Sequence, residues 1–200
     1  MDRLLQNAQR SEEWIHEKVK ISVNETPRRG IARFSECGHY RYLLVREFGG
    51  DSTCVFIMLN PSTADGNRDD PTIRRCIYFS RREGFGRLEV VNLYAYRSPS
   101  PTELVLIVDP VGPGNDYEIE GALLRASLIV AAWGNRADPV RVHEVANLID
   151  QSGKPVKCFG LTKLGNPKHP LYASSKAALE YLPGEVPALW KKPYLNRAES

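Results

Sequence analysis

Four short apolar runs punctuate the middle of the chain: "TCVFIML" (53–59), "LEVVNLY" (88–94), "SLIVAAW" (127–133) and "PVKCFGL" (155–161). Their apolar residues occupy both alternating sets of positions, as in strands buried on both faces. Amphipathic stretches separate them. "DPTIRRCIYFSRREGFG" offers Asp70 as a cap, Pro71 for the first turn, an inward set at Ile73, Cys76, Ile77 and Phe79, and Gly84 near its end. "NDYEIEGALLRA" follows with Asn115 or Asp116 as cap, and "DPVRVHEVANLIDQSG" with Asp138 before Pro139 and Gly153 as the stop. "SSKAALEYLPG" predicts a fourth helix. Strand and helix in alternation predict an α/β fold, a three-layer α/β/α sandwich around a mostly parallel four-stranded sheet.

Upstream, "IARFSECGHYRYLLVREFGG" predicts an N-terminal antiparallel hairpin turning near Cys37 and Gly38. Residues 1–28 divide into a charged helical stretch over 1–20 and the turn-rich "NETPRRG", and read as an appendage. Residues 29–182 form the α/β domain, and 183–200 an extended tail pinned by Trp190.

Composition narrows this modestly. Two hundred residues with 42% apolar content suffice for one core. A net charge of +3 demands no polyanionic partner, so the distribution of charge matters more than its sum. The four cysteines, Cys37, Cys54, Cys76 and Cys158, lack metal-site spacing and read as free thiols of a cytoplasmic protein. No apolar leader or run of about 18 apolar residues occurs, so no membrane partner is expected. "GFGRLE" precedes a strand instead of joining strand to helix, so it implies no dinucleotide, and no other cofactor is expected.

Open α/β sheets bind ligands beyond the carboxyl ends of their strands, which directs attention to four polar loops. Asn60, stiffened by Pro61, offers a donor and an acceptor for a water or a base edge, or else an Asx turn. Ser62 and Thr63 can cap a helix or bind phosphate. Asp65, Asp69 and Asp70 can act as a base or bind a divalent metal, although Asp70 already serves as a cap. His169, between Pro167 and Pro170, is the one histidine on the inferred rim and can donate to developing negative charge. Tyr94, Tyr96, Trp133 and Tyr172 fall at strand ends, where a ring can stack on a base or simply pack. Arg68, Arg97, Arg136, Lys163 and Lys168 would make the mouth positive and favour a phosphate-bearing ligand. Arg74, Arg81 and Arg82 can share the solvent side of one helix, with Arg75 nearer its edge, and the group reads first as solvated surface or else adds to that positive mouth.

Two resemblances enter here. "LNPSTAD", "DDPTIRRC", "VVNLYAYR", "DPVGPGND", "AWG" and "HPLY", in that order, resemble a bacterial and phage family of unknown function over residues 30–182. More distantly, "MLNPS" and "KHPLY" resemble the Asn-Pro or Asp-Pro and His-Pro motifs of the uracil-DNA glycosylase superfamily. Met58 and Leu171 depart from that pattern, standing where the superfamily has glycine and serine. The resemblance implies that Asn60 orients the attacking water, that His169 contacts the base, and that Asn92 of "VVNLYAYR" belongs to the pocket. The expectation is a glycosylase-like hydrolase that cleaves an N-glycosidic bond in nucleic acid or a nucleotide. In it Asp65 is a base, Tyr94 or Tyr96 stacks on the substrate, and Pro61, Ser62, Thr63, Arg97 and Lys163 line the binding surface. A non-catalytic nucleic-acid or nucleotide-binding module and a metal-dependent phosphoester hydrolase are the alternatives.

Overall fold

The computed structural model describes residues 21–26 and 30–182. The expected helix over 1–20 and the tail over 183–200 lie outside the described residues. The fold is mixed α/β, with one eight-stranded sheet in place of the expected four strands and separate hairpin. Its strands are β1 (Ile21–Thr26), β2 (Gly30–Ser35), β3 (Arg41–Glu47), β4 (Thr53–Met58), β5 (Arg87–Asn92), β6 (Leu128–Ala131), β7 (Val156–Cys158) and β8 (Glu180–Tyr181). In space they run β1-β2-β3-β5-β4-β6-β7-β8.

The four apolar runs form the parallel centre: β4 lies between β5 and β6, and β7 follows β6. The expected hairpin, β2 and β3, joins this same sheet because β3 pairs antiparallel with β5. β1, placed by the sequence in the N-terminal appendage, pairs antiparallel with β2. β8 pairs antiparallel with β7 at the other edge.

Three α-helices link the parallel strands: α1 (Pro71–Arg82), α2 (Asn115–Arg125) and α3 (Pro139–Ser152). Asp70 caps α1 by accepting from the Ile73 N–H at 2.8 Å, with Pro71 in the first turn as the sequence requires. Asp138 and the left-handed Gly153 bound α3 in the same fashion. Asn115 differs from expectation. It is fully buried inside α2, and its Nδ2 donates to the Asn92 and Leu93 carbonyls at 3.0 and 3.1 Å instead of capping the helix.

Each face of the sheet has its own core. Val55, Ile57, Val91 and Ile129 pack against Ile119 of α2 and Val145 of α3. Phe56, Val90 and Val130 pack against Ile73, Cys76 and Phe79 of α1. The fourth expected helix is absent. Its residues form a turn, in which the Ala177 N–H donates to the Ser174 carbonyl, and then β8. Leu179 enters the α1-side core and Leu182 the opposite one, a division across the sheet that a single helix face cannot make.

The chain leaves β4 toward β5 on one side and leaves β6 toward β7 on the other. The carboxyl ends of β4 and β6 therefore diverge into a crevice, the topological switch point of the sheet.

Candidate functional site

A cavity of about 750 Å³ occupies that crevice on the α1 side, with Met58, Ile73 and Val90 as apolar wall. Three loops bring polar groups to it: Asn60 and Ser62 after β4, Asn135 and Arg136 after β6, and Lys168 and His169 after β7. Asn92 enters from the last position of β5, on the face it shares with Val90. Asn60, Ser62, Asn92 and His169 thus share one cavity.

Asn60 is held by its neighbours. Its Nδ2 donates to the Ser98 carbonyl at 2.9 Å and to the Pro61 carbonyl at 3.1 Å. Two carbonyl acceptors fix which end of the amide is nitrogen, leaving Oδ1 as the acceptor it can present to a ligand. Pro61 contributes from behind: it is buried, and its carbonyl also accepts the Ser98 N–H at 2.9 Å.

His169 begins a short 3₁₀ turn over Pro170–Tyr172, and its Nδ1 accepts the Leu171 N–H at 3.3 Å. That bond assigns the proton of the neutral ring to Nε2. Burial pushes the imidazole pKa below its ordinary value, against the opposing pull of Asp70, so the ring is a neutral donor at pH 7. Gly134, at φ +73°, turns the β6 loop and donates its N–H to the Pro167 carbonyl at 2.9 Å, which ties the histidine loop to the sheet. From the other side Arg75 donates to the Pro170 and Ala173 carbonyls, and Arg82 to the Ser175 carbonyl. These two α1 arginines, read in the sequence as solvated, fasten the segment that carries His169.

Several expected residues lie elsewhere. Asp65 accepts from the Asn67 and Arg68 N–H groups, both at 2.8 Å, in an Asx turn outside the cavity. Asp69 pairs with Arg46 at 2.7 Å. Asp70 is the carboxylate that lines the cavity, with one oxygen spent on the helix cap. No group of three histidine, cysteine, aspartate or glutamate side chains among the described residues is placed to hold a metal ion. The four cysteines are free, and all but Cys37 are buried.

Tyr94 is buried in the core under α2 and α3, with its hydroxyl accepting the Asp138 N–H at 2.9 Å. Tyr96 packs edge-on against Tyr40. Neither residue lines the cavity; Tyr172 does, at its lip and 84% exposed, and Trp133 borders it while its side chain belongs to the core on the α2 and α3 side. Arg97 stacks over Phe34 and donates to the Gly38 carbonyl. Thr63 and Lys163 are exposed and outside the lining, whereas Arg136 and Lys168 make its mouth positive.

Arg41 is the residue that sequence reasoning missed. It begins β3, is 2% exposed, and lines the cavity. The cause is a bulge. Arg33 pairs with Leu43, but Phe34 pairs with Arg41, so Tyr42 is the extra residue of β3. Strict alternation would place Arg41 with Leu43 on the α2 side; the bulge turns it to the face of Phe34, beneath α1.

A family model described as a protein of unknown function (DUF1643) matches residues 41–171, nearly two thirds of the chain and the whole span from Arg41 to the histidine loop. No curated protein and no solved structure matches the chain. No helix among the described residues is long and apolar enough to cross a membrane.

Proposed function

We propose, for a chain that belongs to the DUF1643 family and takes no activity from that name, that the cavity binds a base and hydrolyses its N-glycosidic bond. The observation that carries this reading is a neutral imidazole donor, His169, sharing a cavity with the fixed amide acceptor Asn60. Hydrolysis needs both. Asn60 Oδ1 accepts from a water and orients it, and Asp70 takes the proton that water loses. The role first given to Asp65 therefore passes to Asp70, the carboxylate in the lining.

The water oxygen bonds to the anomeric carbon as the carbon–nitrogen bond breaks, and the bonding pair leaves with the base. His169 Nε2–H donates to the base oxygen that gains the negative charge, where a half-buried donor counts for more than it would in water. Tyr172 supplies a ring for the base at the lip, and Arg136 and Lys168 supply charge for phosphate at the mouth. The distant resemblance of "MLNPS" and "KHPLY" to uracil-DNA glycosylases supports the same assignment.

Incubating the purified protein, with EDTA present, with DNA and RNA oligonucleotides carrying normal, deaminated and modified bases tests it. Free base should accumulate with the native protein and not with Asn60→Ala. Binding without release from any substrate would replace this reading with a non-catalytic nucleic-acid or nucleotide module. Strand cleavage seen only in a parallel incubation with a divalent metal in place of EDTA would instead point to a metal-dependent phosphoester hydrolase.

A further inference from the structure

We propose that Arg41 makes the depth of the cavity an oxyanion subsite, so that the ligand carries a carboxylate or phosphate into the pocket beside its heterocycle. The inference rests on reading the cavity as a base or nucleotide site, and it names the substrate class.

The other buried arginines of this chain are compensated within the fold. Arg46, 4% exposed, pairs with Asp69 and donates to the carbonyls of Val45 and Asp65. Arg141, also 4% exposed, pairs with Asp116 and Glu144 and donates to the Leu93 carbonyl at 2.7 Å. Both are saturated. Arg41 is more buried than either, yet it pairs with no carboxylate among the described residues, and the one hydrogen bond its side chain makes there is to the Ala64 carbonyl at 2.8 Å. Its Nε is buried without an acceptor. Desolvation pushes the guanidinium pKa down to about 10 while Asp70 pulls the other way, so the group is charged at pH 7.

A buried cation without its counter-ion is costly, and a fold that ion-pairs its other buried arginines leaves this one open where the cavity is. Asn92 repeats the pattern. It is 1% exposed, lines the same cavity, and its Nδ2 also lacks an acceptor. Two unmet donors, one of them charged, are complementary to an oxyanion, and a planar guanidinium suits a carboxylate or phosphate. At about 750 Å³ the cavity has room for more than a bare base.

Carboxylate on the base and phosphate on the sugar are two sources of the same chemistry, so the probes are cytosine, cytosine-5-carboxylate and cytidine 5′-monophosphate. Titration calorimetry and thermal shift on the full-length chain compare native protein with Arg41→Met and Arg41→Lys. An anionic probe should bind the native protein about tenfold to a hundredfold tighter than cytosine. Arg41→Met should bring the two within about threefold with its ligand-free melting temperature unchanged or raised, whereas Arg41→Lys should keep the preference. Preference for the carboxylate alone assigns a modified base, and preference for the monophosphate assigns a nucleotide. Equal binding of neutral and anionic probes by the native protein overturns the proposal. So does a preference that survives Arg41→Met, or an Arg41→Met chain that loses its fold while Arg41→Lys shows no preference. Binding is read here without turnover: failure to release base sinks the hydrolase and leaves this subsite standing, and the reverse holds equally.

Discussion

Glu89 and Asn92 lie three residues apart on β5, at 0% and 1% exposure, and their surroundings are opposite. The Glu89 carboxylate accepts from Arg87 Nε at 2.8 Å and from Arg125 Nη2 at 2.8 Å, while Arg87 reaches on to Glu47 at 2.6 Å. This network closes on itself beside a smaller cavity lined by Glu47, Arg87 and Arg125. At the carboxyl end, the Asn92 backbone is pinned by Asn115, while its amide nitrogen is buried without an acceptor in a residue that lines the larger cavity. One end of the strand spends its polar groups on the fold. The other end withholds them, and a polar group buried without return to the fold marks the place where a ligand completes it.

The sharpest way to break the comparison is to open the closed network. Glu89→Gln leaves Arg87 and Arg125 without their shared carboxylate, and both can turn partly to water. The expected loss is about 3 kcal/mol of unfolding free energy, at the low end for a broken buried pair. Urea denaturation measures it, and a loss below about 1 kcal/mol would make the two ends of β5 energetically alike.

Next in size is an effect on turnover. Asn60→Ala removes the acceptor together with two donated hydrogen bonds to carbonyls. Base release should slow about a hundredfold, or about 2.7 kcal/mol in the barrier, with KM changed less than threefold. Stability should fall by only about 1–2 kcal/mol. Equal losses in kcat and affinity would reduce Asn60 to a loop anchor.

The parallel centre was legible because its strands are continuous apolar runs, and α1 and α3 because Asp70-Pro71 and Asp138-Pro139 announce their first turns. The edges were not. "SSKAALEYLPG" carries helix-forming residues, but its two leucines serve opposite cores and tertiary packing overrides propensity. Of the site, Asn60 could be found because it sits beside a proline at the end of an apolar run, and His169 because prolines flank it in the polar loop that follows another. Asp65 misled because nearness in sequence to Asn60 is not nearness in space once the loop folds into an Asx turn. Arg41 was invisible because its direction depends on a bulge, and an extra residue in a ladder has no signature in the alternation of one strand.

A smaller effect follows from His169. Burial lowers its pKa in the folded chain below the ordinary value of 6.5. The folded state therefore binds fewer protons at this site than the unfolded state does. Its contribution to stability is complete above pH 6.5 and is lost as the pH falls from there toward the depressed value. Denaturation curves across that window should show a shallower acid decline for His169→Gln than for the native chain, and parallel declines would remove the neutral imidazole from the site. Turnover should also decline as the pH falls below 6.5, where the ring gains its second proton.

The smallest expected change is the most telling for the comparison with Glu89. Asn92→Leu keeps the volume of the side chain, replaces a buried nitrogen that has no acceptor, and leaves untouched the Asn92 carbonyl that Asn115 holds. Removing an unsatisfied buried donor returns its desolvation cost, and the leucine joins a face that already presents Val90. Unfolding free energy should therefore move by less than about 1 kcal/mol and in the stabilising direction, while binding of an oxyanion probe weakens. If the leucine instead destabilises the protein as strongly as Glu89→Gln does, the amide is a fold-holding group, and the two ends of β5 follow one rule.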